Sequence, residues 1–428
     1  MARIAIYAAG GAPYNHAAIL ADSGHEVEFV FPVDILAGAL DSFDAFVMPG
    51  GGYSSMKGQL DPLGADGCRT IREYVEEGGM YIGSCAGSYD AATVPDAFLA
   101  ICPIQSELRL VDARVWNDGS STLGIIQSPG IGELISANAA PDHPVMAGMP
   151  DEFRITHYNG PLFSGGTPLA TLIGRTSNFT PAEEFLGDAD GALLVDEGVS
   201  VKVSNIVADE RGAGRVVLFG SHPEFGATLA LDDIAPAAAM LTNAVAWQLA
   251  ADTRKKPAAA QLATDASIAP ETVQQDLAGL PSLVASIEVK CAALSSVPSS
   301  VAWLGEDQAM SMFGRSGREI WENSLEHIPV FAREAAAGAA KLPDGILSFR
   351  PPTEWMVDGG FWGVAPLLEQ VDELLEAAMA ASGSSFPATD GYDHMRDSPY
   401  HLVAGSYLSA IGRAVGAALL VRAFGTGS

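Results

Sequence analysis

The chain has 428 residues, 48% of them hydrophobic, and a formal net charge of −29 from 52 acidic and 23 basic residues. That length allows two domains with cores of their own. Acidic residues outnumber basic ones on both sides of residue 256, so the whole surface repels phosphate backbones and anionic lipid, and nucleic acid and membrane are set aside as partners.

Four cysteines, Cys68, Cys85, Cys102 and Cys291, stand at irregular spacings without a CxxC pair. This pattern suggests neither a zinc site nor a disulfide framework, and few scattered thiols fit a reducing compartment. The first apolar run is too short for a signal h-region. "AIGRAVGAALLVRAFG", broken by Arg413 and Arg422, falls short of a spanning segment. The expectation is a soluble cytoplasmic protein.

Strand and helix signals alternate from the start. "RIAIYAA" reads as a buried strand, "YNHAAILADSG" as a helix ending at Gly24, and "EVEFVF" as the next strand. "FDAFVMPGGG" is a strand running into a glycine turn, "DGCRTIREYVEEGG" a helix with a glycine stop, and "MYIGSCAG" a strand running into a bend. Short apolar runs separated by helices imply a parallel sheet covered on both faces. The predicted fold class is α/β, a doubly wound, flavodoxin-like parallel sheet with its functional loops at the carboxyl ends of the strands.

From about residue 105 to 210 the pattern is less regular. "SELRLVDARVW", "GALLVDEG" and "VSVKVSNIVAD" read as strands joined by hairpin-type turns. "GRVVLFGSHPEFG" returns to an apolar strand ending in a polar loop, and residues 235–250 form a helix. Residues 1–252 are therefore expected as one domain and 253–269, rich in Ala, Pro and charge, as a linker. Residues 270–428 are expected as a helical domain, with helical spacing in about 271–295, 301–340, 365–382 and 399–424.

The stretch "GSCAG" carries the chemistry. Gly83 and Gly87 flank Ser84-Cys85-Ala86, as a sharp strand-to-helix bend requires. Such a bend lifts the side chain above the sheet and sets the thiol near a helix N-terminus, where thiolate is favoured. By itself the motif fits a nucleophile or a small buried thiol equally well. "GSHPEFG" adds His222 at a strand end, with Glu224 two residues on, so a carboxylate can orient an imidazole that takes a thiol proton. "MPGGGY", residues 48–53, adds backbone N–H groups that can approach a substrate closely.

In order and approximate spacing, PGGG, GSCAG and HPE resemble the class I glutamine amidotransferase domain over about residues 1–250. Within that superfamily "YAAGGA", "VMPGGG", "YIGSCAGSY", "HYNGPLF" and "GRVVLFGSHPEF" are most similar to the amidotransferase-like N-terminal domain of eukaryotic biotin–protein ligases. The resemblance implies Cys85 as nucleophile, His222 as general base, Glu224 as orienting carboxylate, and Gly51, Gly52 and Ala86 as oxyanion donors. Glutamine-using members usually carry Gln four residues after the cysteine, and here that position is Tyr89. Tyr53, Ser88, Tyr89, Tyr158, Asn159 and Gly160 are candidates for the substrate pocket.

The expected activity is hydrolysis of a carboxamide, glutamine or another amide, through a thioester. The alternatives are a peptidase of the same fold and a non-catalytic binding scaffold. An ammonia-accepting protein partner and a homo-oligomer through the helical part are further expectations. No cofactor is called for. His327, His394 and His401 form no set with metal-ligand spacing, so no metal is expected. "GRSGREIW", residues 314–321, lacks the second glycine of a biotin-ligase ATP loop, and its flanks read as helix. "DGYDHMRDSPYH", residues 390–401, is a polar aromatic segment that could reach the first domain's mouth.

Overall fold

The computed structural model describes residues 1–51, 56–100, 102–117, 129–181, 191–226, 236–252, 262, 268–297, 315–352, 360–382, 399–404 and 407–425. These divide into two compact units, one drawn from Met1–Glu183, Asp188–Asp265 and Pro352–Phe361, the other from Ala266–Pro351 and Trp362–Ser428.

Twelve strands form one mixed sheet in the first unit. They are β1 (Arg3–Tyr7), β2 (Glu26–Val30), β3 (Ala45–Met48), β4 (Met80–Ser84), β5 (Arg114–Val115), β6 (Gly130–Asn138), β7 (Glu152–Tyr158), β8 (Phe163–Ser164), β9 (Thr167–Arg175), β10 (Thr180–Pro181), β11 (Ser204–Arg211) and β12 (Gly214–Phe219). Five of them are parallel neighbours in the order β2-β1-β3-β4-β12. β3 and β4 are buried along their whole length, as the unbroken apolar runs predict for strands covered on both faces. Helices α1 (Tyr14–Asp22), α2 (Met56–Glu76) and α3 (Ala86–Ala91) connect them. α2 bends at Gly64, where φ is 61°.

Beyond β12 the sheet turns antiparallel through β11, β9 and β6, with β7 and β10 on β6. β11 and β12 form a hairpin in which Arg211 opposes Gly214 and Gly212 takes φ 61°, the left-handed conformation that glycine adopts without steric cost. This second half departs from the predicted strands in two places. "SELRLVDARVW" forms a short helical turn, Gln105–Leu108, and only Arg114–Val115 is strand. "GALLVDEG" lies in helix α4 (Gly191–Val201). Val195 and Gly198 are buried while Asp196 and Glu197 are exposed, a helical period. A four-residue apolar run does not distinguish a strand from a buried turn of helix. Helix α5 (Ala239–Leu249) follows β12 as expected.

In the second unit α6 (Pro270–Ser295), α7 (Gly317–Gly338), α8 (Val364–Ala381) and α9 (Ala410–Phe424) close a ring, with α6 against α7 and α8 and α9 against the same two. Ion pairs bridge neighbours: Lys290 on α6 with Asp372 and Glu376 on α8, and Arg422 on α9 with Glu334 on α7. By length and composition α6 is long and apolar enough to cross a membrane. It nevertheless carries Lys290 and Glu288 in ion pairs and buries Leu280, Ile287, Cys291 and Leu294.

One short segment changes the expected domain boundary. Gly360 and Phe361, placed by sequence in the helical domain, belong to the first unit. Phe361 N–H donates to Ala8 O at 2.9 Å, and Tyr14 Oη donates to Gly360 O at 2.8 Å. The fully buried Phe361 ring stacks on Phe29 with centroids 4.0 Å apart. The core face of β1 and β2 is thus completed by residues over three hundred positions away in sequence. Phe361→Ala is expected to lower the opening free energy of β1 and β2 by about 3–5 kcal/mol. Hydrogen exchange of those strands in the full-length chain checks this, and unchanged protection contradicts it.

Candidate active site

Strand register gathers the site. Met48 pairs with Gly83 and Ser84 with Phe219, so β3, β4 and β12 end side by side. Cys85 follows β4 at φ 49°, ψ −109° and opens α3. A non-glycine residue rarely holds that conformation, and at the end of a strand it raises the side chain clear of the sheet. Cys85 N–H donates to Phe219 O at 2.8 Å, and Cys85 O accepts from the Ser88 and Tyr89 amides. Ser88 Oγ is fully buried and lies 2.8 Å from both Gly83 O and Phe219 O, which share its one proton. Ser88 therefore braces the bend from beneath; the expectation that it lines the pocket is corrected by that inward hydroxyl.

The glycines are there because backbone passes close. A Cβ on Gly50 would lie 2.6 Å from His222 Cε1 and 2.7 Å from Cys85 Cβ. One on Gly87 would lie 2.1 Å from Met48 O, and one on Gly160 1.8 Å from Gly220 O and 3.4 Å from Cys85 Cα. Gly50, not singled out in the sequence, is thus the residue of PGGG that wedges between thiol and imidazole. Gly51 takes φ 105°, and neither its amide nor that of Ala86 makes a hydrogen bond among the described residues. Gly52 and Tyr53, the other oxyanion and pocket candidates in this loop, lie outside the described residues.

His222 is held by both its backbone and its ring. Its N–H donates to Thr156 O at 2.7 Å, its ring stacks on Phe225 at 4.5 Å, and Nδ1 sits 2.7 Å from Glu224 Oε1. Nε2 makes no hydrogen bond among the described residues. Burial opposes charge on this ring, but the Glu224 carboxylate and the Cys85 sulfur outweigh it and hold the imidazole pKa above its ordinary value, at about 10. Glu224 is fully buried, which alone would favour the acid, yet His16 and His222 hold its pKa below the usual carboxylate value. The other three thiols are kept protonated by burial, Cys68 and Cys291 pushed up to about 12 and Cys102 to about 11.

The remaining pocket candidates come together around Cys85. The thiol donates to Tyr158 O with Sγ···O 3.3 Å. Tyr89 Oη donates to Asn159 O at 3.3 Å and accepts from Asn117 Nδ2 at 2.8 Å, while Asn117 Oδ1 accepts from Leu162 N–H. Asn159 takes φ 54°, which asparagine tolerates better than most residues. Tyr89 is thus a buried post in the wall rather than a mobile grip.

Sequence reading passed over Asn117, His16 and His157. Asn15-His16 is a polar pair opening an otherwise apolar helix after a Gly-Gly-Ala-Pro turn, and that misplaced polarity was the available signal. His157, of "HYNG", is fully buried with Nδ1 3.1 Å from Ser221 Oγ, and burial together with the charge of His222 pushes its pKa down to about 3. Among the described residues no group of three or more His, Cys, Asp or Glu could hold a metal. His327 Nδ1 lies 2.8 Å from Asn323 O of its own helix. His401 is buried beside Tyr400, and His394 lies outside the described residues.

Residues 40–95 match the biotin-protein ligase N-terminal family. The match spans PGGG and GSCAG and stops short of His222. No curated protein sequence matches the chain. Among solved structures, PurLQS from Thermotoga maritima is similar at 13% identity and TM-score 0.39, over 58% of this chain and 98% of its own. A putative thua-like protein from Parabacteroides merdae is similar at 14% identity and TM-score 0.35, over 60% of this chain and 92% of its own.

Two outcomes test this geometry. Gly50→Ala forces the thiol and imidazole apart and is expected to slow selective alkylation of Cys85 by about 10²-fold, read by mass spectrometry on protein whose circular dichroism is unchanged. The second is a pH dependence. The folded pKa of His222 lies above its unfolded value, so its contribution to stability is complete below about pH 6.5 and is lost as pH rises through about 10. The folded pKa of Glu224 lies below its unfolded value, so its contribution is present above about pH 4.3 and is lost as pH falls further. The stability difference between wild type and Glu224→Gln should therefore peak between those limits and decline on either side. Urea unfolding across pH measures it, and a flat difference means the pair is not ionic.

Proposed function

We propose that the chain is a cysteine-dependent amide hydrolase of amidotransferase-like type, working through Cys85, His222 and Glu224. The observation that carries this reading is the strained Cys85 at the end of β4, packed with the His222 ring around Gly50, while Glu224 holds the far side of that ring at 2.7 Å. The proton shared between the thiol and His222 stays on the imidazole, whose pKa lies above its ordinary value, and the sulfur adds to the amide carbonyl carbon. The oxyanion is met by the Gly51 and Ala86 amides, with Gly52 beside them in sequence. His222 then gives its proton to the departing nitrogen as the C–N bond breaks. Water, losing a proton to the same ring, hydrolyses the thioester and restores the thiol.

Tyr89 bears on the substrate. Its ring occupies the position where glutamine-using relatives carry the amide side chain that grips substrate, and its hydroxyl is fixed by Asn117 and Asn159. This favours a carboxamide other than free glutamine. Transfer of the released ammonia to a protein partner is the corresponding proposal if glutamine is used.

Treatment with iodoacetamide and, separately, with a diazoketone analogue of glutamine tests the reading, with adducts located by mass spectrometry. Iodoacetamide is expected to modify Cys85 selectively, and His222→Ala to abolish that selectivity. Comparable modification of Cys68, Cys102 and Cys291 overturns an activated nucleophile. Modification by iodoacetamide alone retains the triad and moves the substrate away from glutamine.

A further inference from the structure

Glu224 has two carboxylate oxygens, and the triad uses one. Oε1 faces His222 at 2.7 Å. Oε2 is buried and makes no hydrogen bond among the described residues. An orphaned carboxylate oxygen in a fully buried site is costly unless a donor stands opposite it.

The group opposite is a second imidazole. His16, on α1, is fully buried, and its Nε2 lies 3.6 Å from Glu224 Oε2 and 2.9 Å from Ser84 Oγ, the residue immediately before the nucleophile. Nδ1 of His16 makes no hydrogen bond among the described residues. Nε2 hydrogen-bonds Ser84 Oγ, and its approach to Glu224 Oε2 is a longer polar contact, so a proton on Nε2 lies between the two oxygens and nearer the serine. α1 also grips the same loop through Asn15, whose Nδ2 donates to Glu224 O at 3.1 Å. The ring is faced by Ser84 from β4, by Glu224 and His222 from the loop after β12, and by the Ala12 carbonyl at the entry to α1. Burial and the His222 charge hold the His16 pKa below the ordinary imidazole value against the pull of Glu224, so at neutral pH the ring is a neutral donor.

We infer that His16 is a positioning residue for Glu224: its Nε2–H, shared with Ser84, faces the second oxygen of the carboxylate and steadies the plane in which the first oxygen holds the His222 ring. The inference rests on the triad reading above. It assigns to α1 a part in keeping Glu224 ionised, and it links the orienting carboxylate to Ser84 at the root of the nucleophile's bend.

The test compares His16→Phe, His16→Gln and Ser84→Ala in the full-length chain. Two quantities are followed against pH: the rate of Cys85 alkylation, and the midpoint at which the downfield His222 Nδ1–H proton resonance disappears on acidification. Removing a donor to a buried carboxylate costs it roughly ten- to a hundredfold in proton affinity, one to two pH units. His16→Phe should therefore move both acid limbs up by that much. His16→Gln, which keeps an amide donor, should restore them to within a few tenths of a unit. Ser84→Ala leaves the proton wholly to Glu224 and should not raise either limb, and it keeps the test alive if His16→Phe does not fold. Unmoved acid limbs in His16→Phe, or an upward shift in Ser84→Ala, overturn the inference. If wild-type Cys85 shows no selective alkylation, the triad reading fails, while the resonance midpoint still reads whether His16 supports Glu224.

Discussion

The positive φ of Cys85 is the constraint on which the site depends. Holding a residue with a Cβ at φ 49° costs on the order of 1–3 kcal/mol and persists only where the surroundings leave no alternative. Here three neighbouring strands remove the alternatives. The pairs Met48–Gly83 and Ser84–Phe219 bring the ends of β3, β4 and β12 level, and the Cys85 amide is tied to the last residue of β12. Two residues past those pairs lie Gly50 and Ser221, and His222 follows. The register of a parallel sheet thus delivers thiol, imidazole and glycine loop to one point, and a slip of one residue in any strand would separate them.

Much of this was legible in the sequence, because parallel strands buried on both faces write themselves as unbroken apolar runs and their ends as glycine-rich punctuation. Cys85, His222 and Glu224 were readable for the same reason: each stands at the end of such a run. What was not readable lacks that signature. Gly50 and Gly51 are indistinguishable as letters, and only the approach of His222 Cε1 and Cys85 Cβ separates their roles. "GALLVDEG" is too short for its period to decide between strand and helix. Asn117 reaches Tyr89 from two residues beyond the short strand β5. His16 sits in a helix whose first seven residues are all buried, and nothing in their spacing says that one of them faces a carboxylate.

Phe361 illustrates a different limit. Its contribution is one ring and one backbone amide, delivered to β1 and β2 across most of the chain's length. A two-residue graft leaves no periodicity, so composition and spacing read it as part of an irregular piece within the helical domain. The first unit therefore consists of an α/β body plus one distant piece, and that piece touches Ala8, at the start of the "AAGGA" loop. The loop in turn meets the glycine wedge: Ala12 N–H donates to Gly50 O at 2.9 Å. Packing at Phe361 and placement of Gly50 belong to one contiguous network.

The electrostatics of the bend require a division of roles between two buried carboxyl groups. Glu224 is ionised because two imidazoles face it. Asp90, five residues beyond Cys85 on the nucleophile's own helix, is equally buried, and neither of its oxygens has a hydrogen-bond partner among the described residues. Burial pushes its pKa well above the usual carboxylate value, favouring the acid form. An apolar environment for one carboxyl and a pair of imidazoles for the other drive their pKa values in opposite directions, and the lowered one belongs to the group that holds the His222 ring. In a chain with a net charge of −29, that selectivity comes from local desolvation and local partners, not from the balance of charge over the whole molecule.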